Sequence, residues 1–101
     1  MAAINPISGL NKVFDNRVRL GVMSILMVND EISFNDLKEV LEVTDGNLAS
    51  HIKALEKEKY ISVNKTFVEK KPNTKYRITD KGKNSFKKHL DALEQVIRQQ
   101  K

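Results

Sequence analysis

The chain has 101 residues, 40% of them hydrophobic and 31% charged, with no cysteine and a formal net charge of +5. That length and apolar fraction predict one modest globular domain, and the missing cysteine excludes both a disulfide framework and a thiolate zinc site. His51 and His89 stand far apart with no obvious third ligand, so neither a metal nor another cofactor is expected.

Charge is placed unevenly. Residues 1–59 carry 7 Lys/Arg against 9 Asp/Glu, whereas residues 60–101 carry 11 against 4. A basic second half points at a polyanion or is simply a solvated face. The opening "MAAINPISGL" lacks the basic start and apolar middle of a signal peptide. The greasiest stretch, "VMSILMV", falls far short of the roughly 20 residues that cross a bilayer. A cytoplasmic protein with no membrane association is therefore expected.

Ile7, Leu10 and Phe14 follow Pro6 at helical spacing and predict a short helix over 6–14. Asp15 or Asn16 can cap a second helix, "RVRLGVMSILMV", whose nearly all-round apolar character makes it central to the core. Ser33 opens a third, where "SFND" approaches a capping box and Leu37, Val40 and Leu41 form the inward side. After the tight turn "EVT", Thr44 caps a fourth helix held by Leu48, Ile52 and Leu55. Two short helices so closely joined fit a helix-turn-helix over about residues 33–58.

The period then changes to that of strands. "ISVNKTFV" and "KYRIT" predict a hairpin over about residues 61–79, with its tip from Glu69 to Thr74 and Pro72 at the second position of the turn. A last helix over 80–99 spaces Phe86, Leu90, Leu93 and Ile97 like a coiled-coil seam.

Opposite the buried stripe of the fourth helix lie Gly46, Ser50, Lys53 and Lys57, with Asn47 and Ala49 beside them. A helix held by one face, with short polar groups near its N-terminal end on the other, suits the major groove of DNA. Capping chemistry alone is the competing reading of Thr44, Asp45 and Asn47. His51, beside the core stripe, reads as a packed residue. In the hairpin, Lys65, Lys70, Lys71, Lys75 and Arg77 outnumber Glu69, a pattern suited to phosphates or a narrow minor groove. Lys81, Lys83, Lys87 and Lys88 crowd the start of the last helix, against its dipole, where an external anion would offset the repulsion.

The segments "FDNRVRLGVMSIL", "SFNDLKEVLEVTDGNLASHIKALEKEKYI" and "KTFVEKKPNTKYRITDKG", in this order and spacing, resemble the winged helix-turn-helix regulators of the MarR, ArsR and PadR type over roughly residues 10–95. The resemblance implies one α+β, mainly helical domain over 1–101 with a β-hairpin wing and a C-terminal dimerisation helix. It assigns major-groove reading to Thr44, Gly46, Asn47, Ser50 and Lys53, and wing contacts to Lys70, Lys71, Asn73, Lys75 and Arg77. Terminal helices over about 6–14 and 80–99 would form a homodimer through Leu10, Phe14, Phe86, Leu90, Leu93 and Ile97. Two departures stand out: Ser50 where many relatives carry arginine, and Lys59 where many end the helix with glycine, so that a left-handed cap is expected to be strained or absent.

The expectation is thus a homodimeric, sequence-specific transcriptional regulator of double-stranded DNA acting on a pseudo-palindromic operator. A winged-helix protein-interaction module and a nonspecific DNA-packing protein are the alternatives. No nucleophile–base pair, carboxylate pair or phosphate-cradling loop suggests an enzyme. No separate sensory domain is expected, and a small effector or a controlling protein partner both stay open.

Overall fold

Asn16 begins the first helix, α1 (Arg17–Val28), by accepting the backbone amides of Val18 and Arg19 on its side-chain oxygen. This computed structural model describes residues 5–98. Val18, Val22, Met23 and Leu26 of α1 are buried, so the apolar helix is indeed the core's centre.

A two-residue strand, β1 (Ile32–Ser33), follows. It is too short to leave a periodic signal in the sequence. Ser33 doubles as the cap of α2 (Phe34–Leu41), its hydroxyl accepting the Asp36 amide at 3.1 Å. Leu37 is wholly buried and Leu41 partly so, but Val40, expected to face inward, is 63% exposed. In a helix of only two turns, the narrow stripe through Leu37 and Leu41 suffices to hold it, and Val40 falls to the side.

Glu42, left-handed at φ 54°, ends α2, and α3 (Asp45–Lys57) starts at Thr44, whose hydroxyl accepts the Asn47 amide at 3.2 Å. Leu48, Ile52 and Leu55 are buried as expected. The helix closes with the left-handed cap despite lacking glycine. Lys59 takes φ 63°, its amide bonds Glu56 at 2.9 Å and the Tyr60 amide bonds Leu55 at 3.0 Å.

Strands β2 (Ile61–Val68) and β3 (Lys71–Ile78) pair antiparallel, and β1 pairs the far side of β3, giving the order β1-β3-β2. The hairpin tip is tighter than expected. Glu69 and Lys70, at φ 50° and 66°, alone make the turn, while Pro72 and Asn73 lie in β3 opposite Phe67 and Thr66. Two positive φ angles match the primed turn whose twist suits a hairpin. Pro72 is tolerated because β1 reaches only Lys75 and Tyr76, leaving β3 an edge strand at the proline.

The final helix, α4 (Asp80–Arg98), buries Gly82, Phe86 and His89. A Cβ on Gly82 would fall 2.0 Å from the Tyr60 carbonyl oxygen, so this crossing demands glycine. Thr79 locks the junction by donating to the Lys59 carbonyl at 2.7 Å while accepting the Gly82 amide at 2.9 Å.

The leading segment departs from expectation. Residues 6–9 form turns, residue 10 a bend, and only Lys12–Phe14 coil into a short 3-10 helix. Asn11 diverts the backbone, its side chain accepting the Val13 amide at 2.9 Å, and Gly9 offers little helical preference. Phe14 lies in an aromatic cluster, 5.2 Å from both Tyr60 and Phe86 and 5.3 Å from His89, measured between ring centres. Phe14 and Phe86, expected at a subunit interface, are therefore core residues, 2% and 1% exposed. Along α4, His89 joins the core beside Phe86, whereas Leu90, also expected at the subunit interface, is 42% exposed.

Candidate nucleic-acid interface

Because Leu48, Ile52 and Leu55 fasten α3 to the core, its other side is left to solvent. Thr44, Gly46, Asn47, Ser50 and Lys53 are all exposed on it. The Thr44 hydroxyl is engaged as the cap, so its structural role is met. The Asn47, Ser50 and Lys53 side chains have no hydrogen-bond or ion-pair partner among the described residues. Asp45 is neutralised across the turn by Lys38 at 2.7 Å. Gly46 has open space where a side chain would sit, with no atom within 4 Å, so the fold itself does not require glycine there.

An open cleft of about 740 Å³ separates α3 from the wing. Gly46, Ser50 and Lys53 line one wall, and Val63, Lys65 and Thr74 the other. Lys65, which the sequence offered only as part of the wing's charge, thus faces the same space as the α3 residues. Strand alternation explains this. Tyr76 is buried, and Val63, opposite it, shares its face, as do Lys65 and Thr74 one step further along the ladder.

The same alternation puts Lys71, Asn73, Lys75 and Arg77 on the opposite face of the hairpin. Two of them are already paired, since Glu31 lies 3.5 Å from Lys75 Nζ and 3.3 Å from Arg77 Nε. Glu31 precedes β1, and only the pairing of Ile32 with Tyr76 brings it to the wing. No sequence pattern marked it. Lys70 and Lys71, at and beside the turn, are exposed and free of ion pairs among the described residues. The structure thus brings the five α3 residues together and spreads the wing residues over the tip and one sheet face.

At the start of α4, Lys81 places its ammonium 5.5 Å from the centre of the Tyr60 ring. That contact offsets part of the repulsion expected at a helix N-terminus without any external anion. His51 is half-buried, and burial, helped by the Arg19 guanidinium, lowers its pKa below histidine's ordinary value. It is a packed residue, in keeping with its place beside the core stripe.

A family model described as a winged helix DNA-binding domain matches residues 18–97. The chain is 35% identical to a transcriptional regulator homologue from Pyrococcus horikoshii OT3 whose solved structure superposes with a TM-score of 0.81, covering 87% of each chain. It is also 34% identical, over 85 residues, to an uncharacterized protein of Methanocaldococcus jannaschii, covering 84% of this chain and 92% of that one. Bacillus subtilis PadR, solved with operator DNA, shares the fold at 19% identity and a TM-score of 0.66, over 74% of this chain and 48% of PadR. The helix-turn-helix, the basic wing and these likenesses agree: the chain belongs to the winged helix DNA-binding domain family, a family of transcriptional regulators rather than enzymes.

Proposed function

We propose that this chain is a sequence-specific transcriptional regulator that binds a pseudo-palindromic operator as a homodimer in the cytoplasm. One observation carries the reading. The outer face of α3 offers short, unpartnered polar side chains and an unobstructed glycine beside a cleft whose far wall is a basic hairpin. Asn47 and Ser50 are suited to base edges, Lys53 and Lys65 to the flanking phosphates. With no guanidinium at position 50, the sequence read there is not a guanine selected by a bidentate arginine.

Support for a second subunit comes from α4. Its 19 residues extend about 28 Å, and Leu90 and Ile97, one heptad apart, remain 42% and 67% exposed. Ile7 adds a further exposed apolar side chain, 59% accessible, from the segment whose Leu10 lines a cavity with Leu93. Two copies joined there by a two-fold axis would present their α3 helices to successive major grooves about 34–36 Å apart.

Selection of bound fragments from genomic DNA tests the proposal. A regulator retrieves a defined inverted repeat and binds it at least about 10³-fold more tightly than random duplex at physiological salt. Retrieval of random fragments would instead identify a DNA-packing protein, and failure to retrieve DNA a protein-interaction module.

A further inference from the structure

The wing carries apolar surface in a place where phosphate contacts have no use for it. Phe67 is 75% exposed, although the sheet's buried residues, Ile61 and Tyr76, lie nearer the other end of the hairpin. The ladder sets Phe67 opposite Pro72. Alternation from Val63 and Lys65 puts this pair on the face that borders the α3 cleft. Phe67 lies six positions along the strand from buried Ile61, about 20 Å of extended chain. The ring therefore stands well beyond the body of the protein, just before the two-residue turn at Glu69 and Lys70. Exposed Lys65 shares its face two positions earlier in β2, and exposed Lys70 and Lys71 follow at the turn and on the other face.

We infer that Phe67, backed by Pro72, is an apolar wedge that enters the minor groove next to the major groove read by α3 and partly unstacks one base step. The inference rests on the DNA-binding reading and deepens it. A single exposed aromatic ring on a lysine-bearing hairpin suits a groove whose walls are phosphates and whose floor is stacked bases. Wedges of this kind kink a duplex while neighbouring cations hold its backbone. Pyrimidine–purine steps open most easily, so the wedge selects such a step at a fixed distance from the bases met by Asn47 and Ser50, without hydrogen-bonding to it. It also accounts for an apolar residue at a solvent-exposed wing tip in a chain rich in lysine.

The test uses the full chain and a mixed-sequence duplex of about 30 base pairs containing a TA step, with a fluorophore at each end and 2-aminopurine beside the step. The parent should shorten the end-to-end distance and brighten the 2-aminopurine. Phe67→Ala should bind about 10- to 100-fold more weakly, leaving the duplex straight and the 2-aminopurine quenched. Its salt dependence should match the parent's, because no charge is removed. Phe67→Leu should restore most of the bend. Phe67 is exposed, so these variants fold. Equal affinity and equal bending by parent and Phe67→Ala would overturn the wedge, as would a fall in particle mass on light scattering, which would place the ring in a protein contact. A parent that binds no duplex even at low salt removes the DNA-binding reading and the wedge with it. A parent that binds DNA, is weakened by Lys70→Glu with Lys71→Glu, and ignores Phe67→Ala removes the wedge alone.

Discussion

Gly46 sits in the first turn of α3 with room for a larger residue, so the fold does not require its smallness. Gly46→Ala should raise stability by about 0.5–1 kcal/mol, since glycine weakens a helix by that amount relative to alanine. The same change should weaken binding to a selected operator. Urea denaturation and a binding titration on one preparation separate the two effects; unchanged affinity would mean that no surface approaches Gly46 closely. His89 makes a different residue-level statement. Its Nδ1 accepts the Asn11 amide at 3.0 Å, which requires the neutral ring, and burial lowers its pKa against a smaller opposing pull from Asp15. A histidine with a depressed folded pKa gives full stability above its unfolded value and loses it as pH falls. The urea midpoint should therefore decline as pH drops below about 6.5. His51 shares that sign. In the double variant His51→Gln, His89→Gln the decline between about pH 7.5 and 5.5 should disappear, at a lower overall stability.

At the scale of elements, the wing divides its charge between two roles. Lys70 and Lys71 are free at the tip, whereas Lys75 and Arg77 share Glu31 at the base. Exposed ion pairs of this kind contribute little stability, about 0–1 kcal/mol, so Glu31 matters more for how much positive field the wing shows. Glu31→Gln should strengthen binding to random duplex and steepen the logarithmic salt dependence by about one unit for each freed cation that finds a phosphate. Lys70→Glu with Lys71→Glu should weaken all binding and flatten that dependence. A slope indifferent to Glu31→Gln would show that the outer sheet face does not reach DNA. Pro72 and Asn73 are stronger turn signals than Glu69 and Lys70, yet the turn falls on the latter pair. Pairing of Phe67 with Pro72 and Val68 with Lys71 overrode those local preferences.

The whole molecule is elongated, 64 × 25 × 22 Å, and α4 is exposed beyond its contacts with the body. Leu90→Glu with Ile97→Glu should leave the fold intact, because neither side chain is in the core, and should yield a monomer that binds a full operator far more weakly than a half-site comparison would suggest. Light scattering of parent and variant at matched concentration decides the matter: a monomeric parent defeats the dimer model. Leu93 is a poorer choice for this test, being half-buried beside His89 and Leu10 in the cavity under the N-terminal segment.

Much of the architecture was legible in the chain itself. Helical spacing of Leu48, Ile52 and Leu55, the caps at Asn16, Ser33 and Thr44, and the two-residue period of the hairpin are local signals, each acting within a few residues. The exposed face of α3 followed from the same spacing. Contacts between distant segments were not legible, because no local pattern encodes which residue a neighbouring element presents. Phe14 looked like interface until the ring of Tyr60 and the crossing of α4 at Gly82 closed around it. His89 joined the core because Asn11, 78 positions away, supplied a donor for its ring. Glu31 reached the wing only through the register of β1 on β3. The sequence by itself determined the elements and the outward side of α3; tertiary packing decided which residues of α4 are buried, the tip of the wing and which of its cations stand free, since burial and register are properties of pairs of elements.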